Sequence, residues 1–228
     1  MIANIQGRCG SAIDAVPRQQ TFAPVVGTRV ASPFVQAGGT FSDVVSFSTM
    51  INEWPLTADG TYVQVAARGV LYGPLDASPT ESATVPTGTP IAGTATLTTT
   101  SAEGPGAAYT ATASGVTAGV SAFYTWVWSI EFGGQSPATQ QFLADDYIFL
   151  DRYGRLAETH LVPSVSSEAQ AIGRPGGSMI DTAIINGLLP AAGADLSFAV
   201  YRVDPVQHCI AETLLWTNAD APLRVTAP

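Results

Sequence analysis

The chain has 228 residues, 46% hydrophobic and 12% charged, with a formal net charge of −9. That balance excludes an intrinsically disordered chain, and the acidity excludes nucleic acid, because phosphate binding needs a basic stripe. All nine basic residues are scattered Arg, so a Schiff base, a P-loop or a Lys–Asn cross-link has no residue to run on.

In chain order, period-2 alternation predicts strands at Phe41–Phe47, Tyr62–Tyr72, Ala92–Thr98, Tyr109–Ala113, Ala122–Ile130 and Leu196–Val203. Turn residues divide them at Asp59-Gly60, Gly104-Pro-Gly106, Gly133-Gly134 and Pro175-Gly-Gly177. No segment keeps a helical period with caps, and no apolar run approaches the roughly 20 residues of a membrane helix. Residues 1–20 lack the charged start and apolar centre of a signal peptide. Strands at this spacing predict an all-β fold.

Blocks of sequence recur. Gly38-Gly-Thr-Phe-Ser-Asp43 matches Gly176-Gly-Ser-Met-Ile-Asp181, Val70-Leu-Tyr72 matches Ala199-Val-Tyr201, and Ile91-Ala-Gly-Thr94 matches Ile210-Ala-Glu-Thr213. Arg8-Cys9-Gly10 matches Arg152-Tyr153-Gly154. A repeat laid out this way predicts tandem units. Residues 1–23 read as the closing strand of a preceding module or a donor strand, 24–163 as a complete module, and 164–228 as a second, truncated one. The sequence then reads as an excerpt of an array. Short proline linkers are expected near Pro24–Pro33 and Pro163–Pro175, which would stiffen it.

The two cysteines fall at repeat positions occupied by Tyr153 and, by local offset, Pro90 in the complete module. Cys9 and Cys209 read either as a disulfide pair or as two unrelated thiols. As a pair they would join only if residues 1–23 complete the third unit, in the same chain or from a neighbour.

The blocks Gly38-Gly-x-x-x-Asp43, Val70-Leu-Tyr-Gly-Pro74, Tyr124-Thr-Trp-Val-Trp128 and Ala157-Glu-Thr159 resemble the tandem immunoglobulin-like repeats of large cell-wall-anchored surface proteins in actinobacteria. The resemblance implies immunoglobulin-like antiparallel β-sandwich modules and an adhesin or stalk role. It also implies a cysteine after the Leu-Tyr-Gly-Pro block and another before the Ala-Glu-Thr strand, which Cys209 and Cys9 match and the middle module lacks. The missing anchor motif and the long Pro74–Pro90 and Gln135–Asp151 loops depart from the pattern.

Candidate chemistry is sparse. Asp145, Asp146 and Asp151, near Glu131 and Glu158, are candidate calcium ligands, since hard cations take several carboxylate oxygens. The spacing lacks the alternation and central Gly of an EF-hand loop, so a solvated loop is the competing reading. His160 and His208 are the only imidazoles, and neither lies in metal-ligand or nucleophile-elbow spacing. Trp126 and Trp128 share a strand face with Tyr124 and read as core, whereas Trp54, between strands, is the better candidate for stacking on a sugar, with a plug at the open end of the sandwich as the competing reading. Asp43 and Asp181 read as local backbone acceptors at strand starts.

The expected function is a non-catalytic, extracellular, cell-surface structural or adhesive segment without a cofactor. Its expected partners are neighbouring modules or identical subunits, with a surface glycan or a host or matrix protein as a further partner. A filament subunit completed by strand donation, or a carbohydrate-binding module, is the alternative.

Overall fold

The computed structural model describes residues 21–119, 121–170, 177–186, 193–202 and 213–226. They form an all-β fold of antiparallel sheets with almost no helix. One three-stranded sheet runs β1 (Pro24–Val30), β2 (Ser42–Thr49), β5 (Ala108–Thr112). A five-stranded sheet runs β4 (Ile91–Thr98), β3 (Ala66–Leu75), β6 (Ala122–Glu131). Along the far edge of β6 lie two short strands, β7 (Ile148–Leu150) opposite residues 129–131 and β8 (Thr159–Val162) opposite residues 122–125.

The two sheets share one core. Alternation on β1 turns Val26 and Val30 inward, β2 contributes Val45 and Phe47, and β6 contributes Tyr124, Trp126, Trp128 and Ile130. The expected core role of the β6 aromatic stripe is what the structure has: both indoles are fully buried and stacked at 5.7 Å. Gly69 sits directly across from Trp128, and a β-carbon there would lie 2.8 Å from the indole. The bare α-carbon is what lets that ring lie flat against the neighbouring strand.

Two features fix how the chain passes through this fold. The segment after β1 crosses to the other sheet, and Phe34 runs parallel to Leu161 of β8. Val35 N–H donates to Leu161 O at 3.0 Å and Leu161 N–H to Pro33 O at 2.7 Å. At the opposite end of β6, Pro24 O accepts from the Tyr147 hydroxyl, just before β7. Val162 pairs with Ala122, and Glu131 with Ile148. The chain therefore comes in at one end of β6 and leaves at the other.

Among the described residues, the stretches read as proline linkers consist largely of strand. Pro24 opens β1, where the first residue of an edge strand tolerates a missing N–H. Past Pro163, β9 (Ser164–Ala169) pairs with β10 (Asp181–Asn186). Asp181 begins β10 opposite Ala169, as Asp43 on β2 stands opposite Val30. A second hairpin follows, with β11 (Ala194–Leu196) and β12 (Ala199–Tyr201) facing β14 (Leu223–Val225) and β13 (Leu214–Thr217). The β12–β13 pairing has the same order as that of β3 and β4. Among the described residues every buried side chain lies between Phe22 and Val162.

Candidate functional site

Where the β1 edge faces the turn after β7, three carboxyl groups are buried: Asp43 and Glu158 at 0% exposure and Asp151 at 5%. Each is delivered by a different element. Asp43 is the inward residue at the head of β2, Asp151 follows β7, and Glu158 ends a 3-10 turn at Leu156–Glu158. Asp43 Oδ2 accepts from Trp128 Nε1 at 2.7 Å. Asp151 Oδ2 accepts from Thr28 Oγ1 at 3.3 Å, and its Oδ1 from Arg152 N at 2.7 Å. The Arg155 guanidinium reaches Asp151 at 3.2 Å and Glu158 at 3.4 Å from a half-exposed position.

One cation facing three carboxyl groups leaves the cluster short of positive charge. Burial disfavours the ionised form. It pushes Asp43 up to about 6 and Glu158 up to about 8, the latter helped by the charge of Asp151. Asp43 Oδ1 and Glu158 Oε2 accept no hydrogen bond.

A second polar cluster ties the segment after β1 to β6 and β8. His160 is 1% exposed, and its Nδ1 lies 2.7 Å from Ser32 O while its Nε2 accepts from Trp126 Nε1 at 3.2 Å. That partner set requires the neutral tautomer with the proton on Nδ1. Burial pulls the imidazole down to about 4.

Two open grooves lie on the surface of the described residues. One, about 350 Å³, lies between the edges of β4 and β5, lined by Arg68, Thr96, Thr110 and Thr112. The other, about 430 Å³, is lined by Tyr62, Gln64, Thr139 and Phe142. Neither contains the buried carboxyls or His160. No family model, curated protein or solved structure matches this chain.

The candidates read from composition and spacing land differently from one another. Trp54 is 8% exposed, donates to Val63 O at 2.8 Å and packs edge-on against Phe22 and Phe47. Its rings fill the end of the core, so no face is offered to a sugar. Asp145 and Asp146 stay on the exposed turn while Asp151 turns inward. Among the described residues no three His, Cys, Asp or Glu side chains converge on a metal position. Cys9, Cys209 and His208 lie outside the described residues. Tyr153, the position aligned with Cys9, is buried, pairs with Ser82 and packs edge-on against Tyr72 at 6.0 Å.

No spacing along the chain announces Asp43, Asp151 and Glu158 as a unit. The one sequence signal is that Asp43 recurs as Asp181 in an otherwise uncharged block.

Proposed function

We propose that residues 24–163 form an immunoglobulin-like β-sandwich module that works mechanically, as one stiff unit of a non-catalytic, extracellular tandem array at a cell surface. Residues 1–23 then close the preceding unit, and 164–228 belong to the next. The observation that carries this reading is the opposed placement of the incoming and outgoing chain at the two ends of β6. Units joined that way extend in a line, and tension between them loads the parallel 33–35 and β8 hydrogen bonds in shear.

The strand order supports the finer fold. A β1-β2-β5 sheet facing β4-β3-β6-β8, with the chain crossing between sheets after β2, β4 and β5, is a Greek-key arrangement. The recurrence of the β1–β2 hairpin as β9–β10 supports tandem repetition. The sealing of all three carboxyls and His160 away from both grooves supports a role without catalysis.

Single-molecule stretching of the full chain tests the mechanical role. One abrupt event releasing roughly 450 Å, from about 140 residues at about 3.5 Å each less the folded span, is expected. Gradual extension with no such event would remove the role.

A second reading is favoured by the apolar side chains that β10 and β13 leave exposed, Ile184, Leu214, Leu215 and Trp216. Two-stranded hairpins are marginal alone. A neighbouring module or an identical subunit donating strands would cover them. Concentration-dependent sedimentation of the chain would favour strand donation between subunits.

A further inference from the structure

We propose that Asp43, Asp151 and Glu158 form a proton-holding latch that keeps the β1 edge closed against the Leu156–Glu158 turn, and that loss of the proton loosens this edge. Two observations point to it independently of one another. The first is charge. Three carboxyls are buried, and among the described residues the only cation bonded to them is Arg155, which is half exposed. A buried charge without a partner costs several kcal/mol, so the cluster must gain a positive charge or lose a negative one.

The second is the bonding pattern. Glu158 Oε2 is completely buried and has no hydrogen-bond partner, so as a carboxylate oxygen it would be neither solvated nor bonded, a cost that a proton on this group removes. The group beside it that a protonated Glu158 can donate to is Asp151, whose carboxylate also accepts from Thr28 and Arg155. On deprotonation the proton leaves for solvent and Glu158 becomes a second buried anion beside Asp151.

The elements packed around the cluster bring little that could balance that charge. From β1 come Thr28, whose hydroxyl lies against both Asp151 and Glu158, and Arg29, whose side chain is exposed and whose backbone N–H is directed at Asp43. From β6 comes Trp128, a neutral donor. The turn brings Arg155, together with Arg152, which is engaged by Glu81 at 2.6 Å on the surface. His160, on β8, is turned to Ser32 and Trp126 instead. Among the described residues no second cation is placed to compensate a new charge, so repulsion falls on the contact between β1 and the turn.

The raised affinity for a proton in the folded state means that stability is greatest below the ordinary carboxylate range and falls as pH rises through the folded-state value. Between pH 6.5 and pH 8 a proton retained by Glu158 until about 8 makes the unfolding constant rise, steeply at first and then less so, about 15-fold in all.

The experiment is chemical unfolding of the full chain across pH 6.5–8, with amide exchange corrected for its intrinsic pH dependence. Glu158→Gln keeps a donor toward Asp151 and cannot ionise. The wild type is expected to show the 15-fold rise and falling protection at β1 amides, with β3 and β4 unaffected; the variant is expected to be flat. An infrared carbonyl band of a protonated carboxyl at pH 7 in the wild type, lost above pH 9, gives a readout that survives a variant that does not fold. A flat wild type, a sloping Glu158→Gln, or no such band would overturn the proposal. So would stabilisation of the wild type at pH 8 by millimolar calcium that Glu158→Gln lacks, since a cation would then be the neutralising group.

Discussion

The substitution His160→Leu should change stability by an amount whose sign depends on pH. Leucine keeps the apolar volume beside Phe41, whose ring is 5.3 Å from the imidazole, but removes the acceptor of Trp126 Nε1. The Ser32 carbonyl lies on an exposed residue and can rehydrate, so the loss is chiefly one buried N–H, about 1–3 kcal/mol. At pH 7 the variant is therefore less stable by that amount. The wild type also pays for keeping His160 neutral in acid. Its folded-state value of about 4 lies below the ordinary 6.5, so the unfolded chain binds the extra proton. Stability is full above pH 6.5 and is lost as pH falls toward 4, by about 3 kcal/mol at 1.36 kcal/mol per pH unit. The variant, with no imidazole at that position, has no such dependence. The difference between the two proteins should shrink through pH 5 and vanish or reverse near pH 4. Asp43 and Glu158 tilt stability the other way, but they do so in both proteins and cancel in the difference. Equilibrium urea unfolding at pH 7, 5.5 and 4 is the assay. A difference that stays constant with pH to within about 0.5 kcal/mol would refute the neutral, doubly bonded His160.

Gly69→Ala places a β-carbon 2.8 Å from the Trp128 indole and should cost about 1–3 kcal/mol through displacement of that ring, read as a lower urea midpoint with unchanged slope. Trp54→Ala should cost about 3–5 kcal/mol, the usual range for deleting a buried aromatic, and leave any glycan binding intact; glycan binding lost at full stability would return Trp54 to the role of a ligand contact. Gln135→Ala removes the side chain that both accepts from Ala66 N–H and donates to Ala66 O, each at 2.8 Å, and should cost about 1–3 kcal/mol with faster amide exchange at Ala66.

The strands were legible because their signal is local. Tyr124, Trp126, Trp128 and Ile130 alternate, and that period alone assigns them to the inner face. The proline stretches misled for the same local reason: Pro24 reads as a stiff spacer, yet its missing N–H is harmless at the head of an edge strand, and Val26 and Val30 still point inward. Trp54 stayed open between a sugar contact and a plug of the core because nothing near it in sequence announces Phe22 and Phe47, 32 and 7 residues away, as its packing partners. The acidic residues show the limit most clearly. Asp145, Asp146 and Asp151 are neighbours along the chain, but the partners Asp151 finds are Thr28, 123 residues distant, and the Glu158 turn. A cluster assembled across two sheets leaves no spacing to read, and only the recurrence of Asp43 as Asp181 hints that this carboxyl matters to the fold.

A module that serves as a link in a line must take the chain in at one end and release it at the other. A distance measured between spin labels at positions 25 and 163, in the full chain with both cysteines replaced, addresses that most directly. About nine residues of β6 at about 3.3 Å each separate the two sites, so roughly 30 Å is expected; a distribution centred below about 15 Å would put both on the same end and contradict the account.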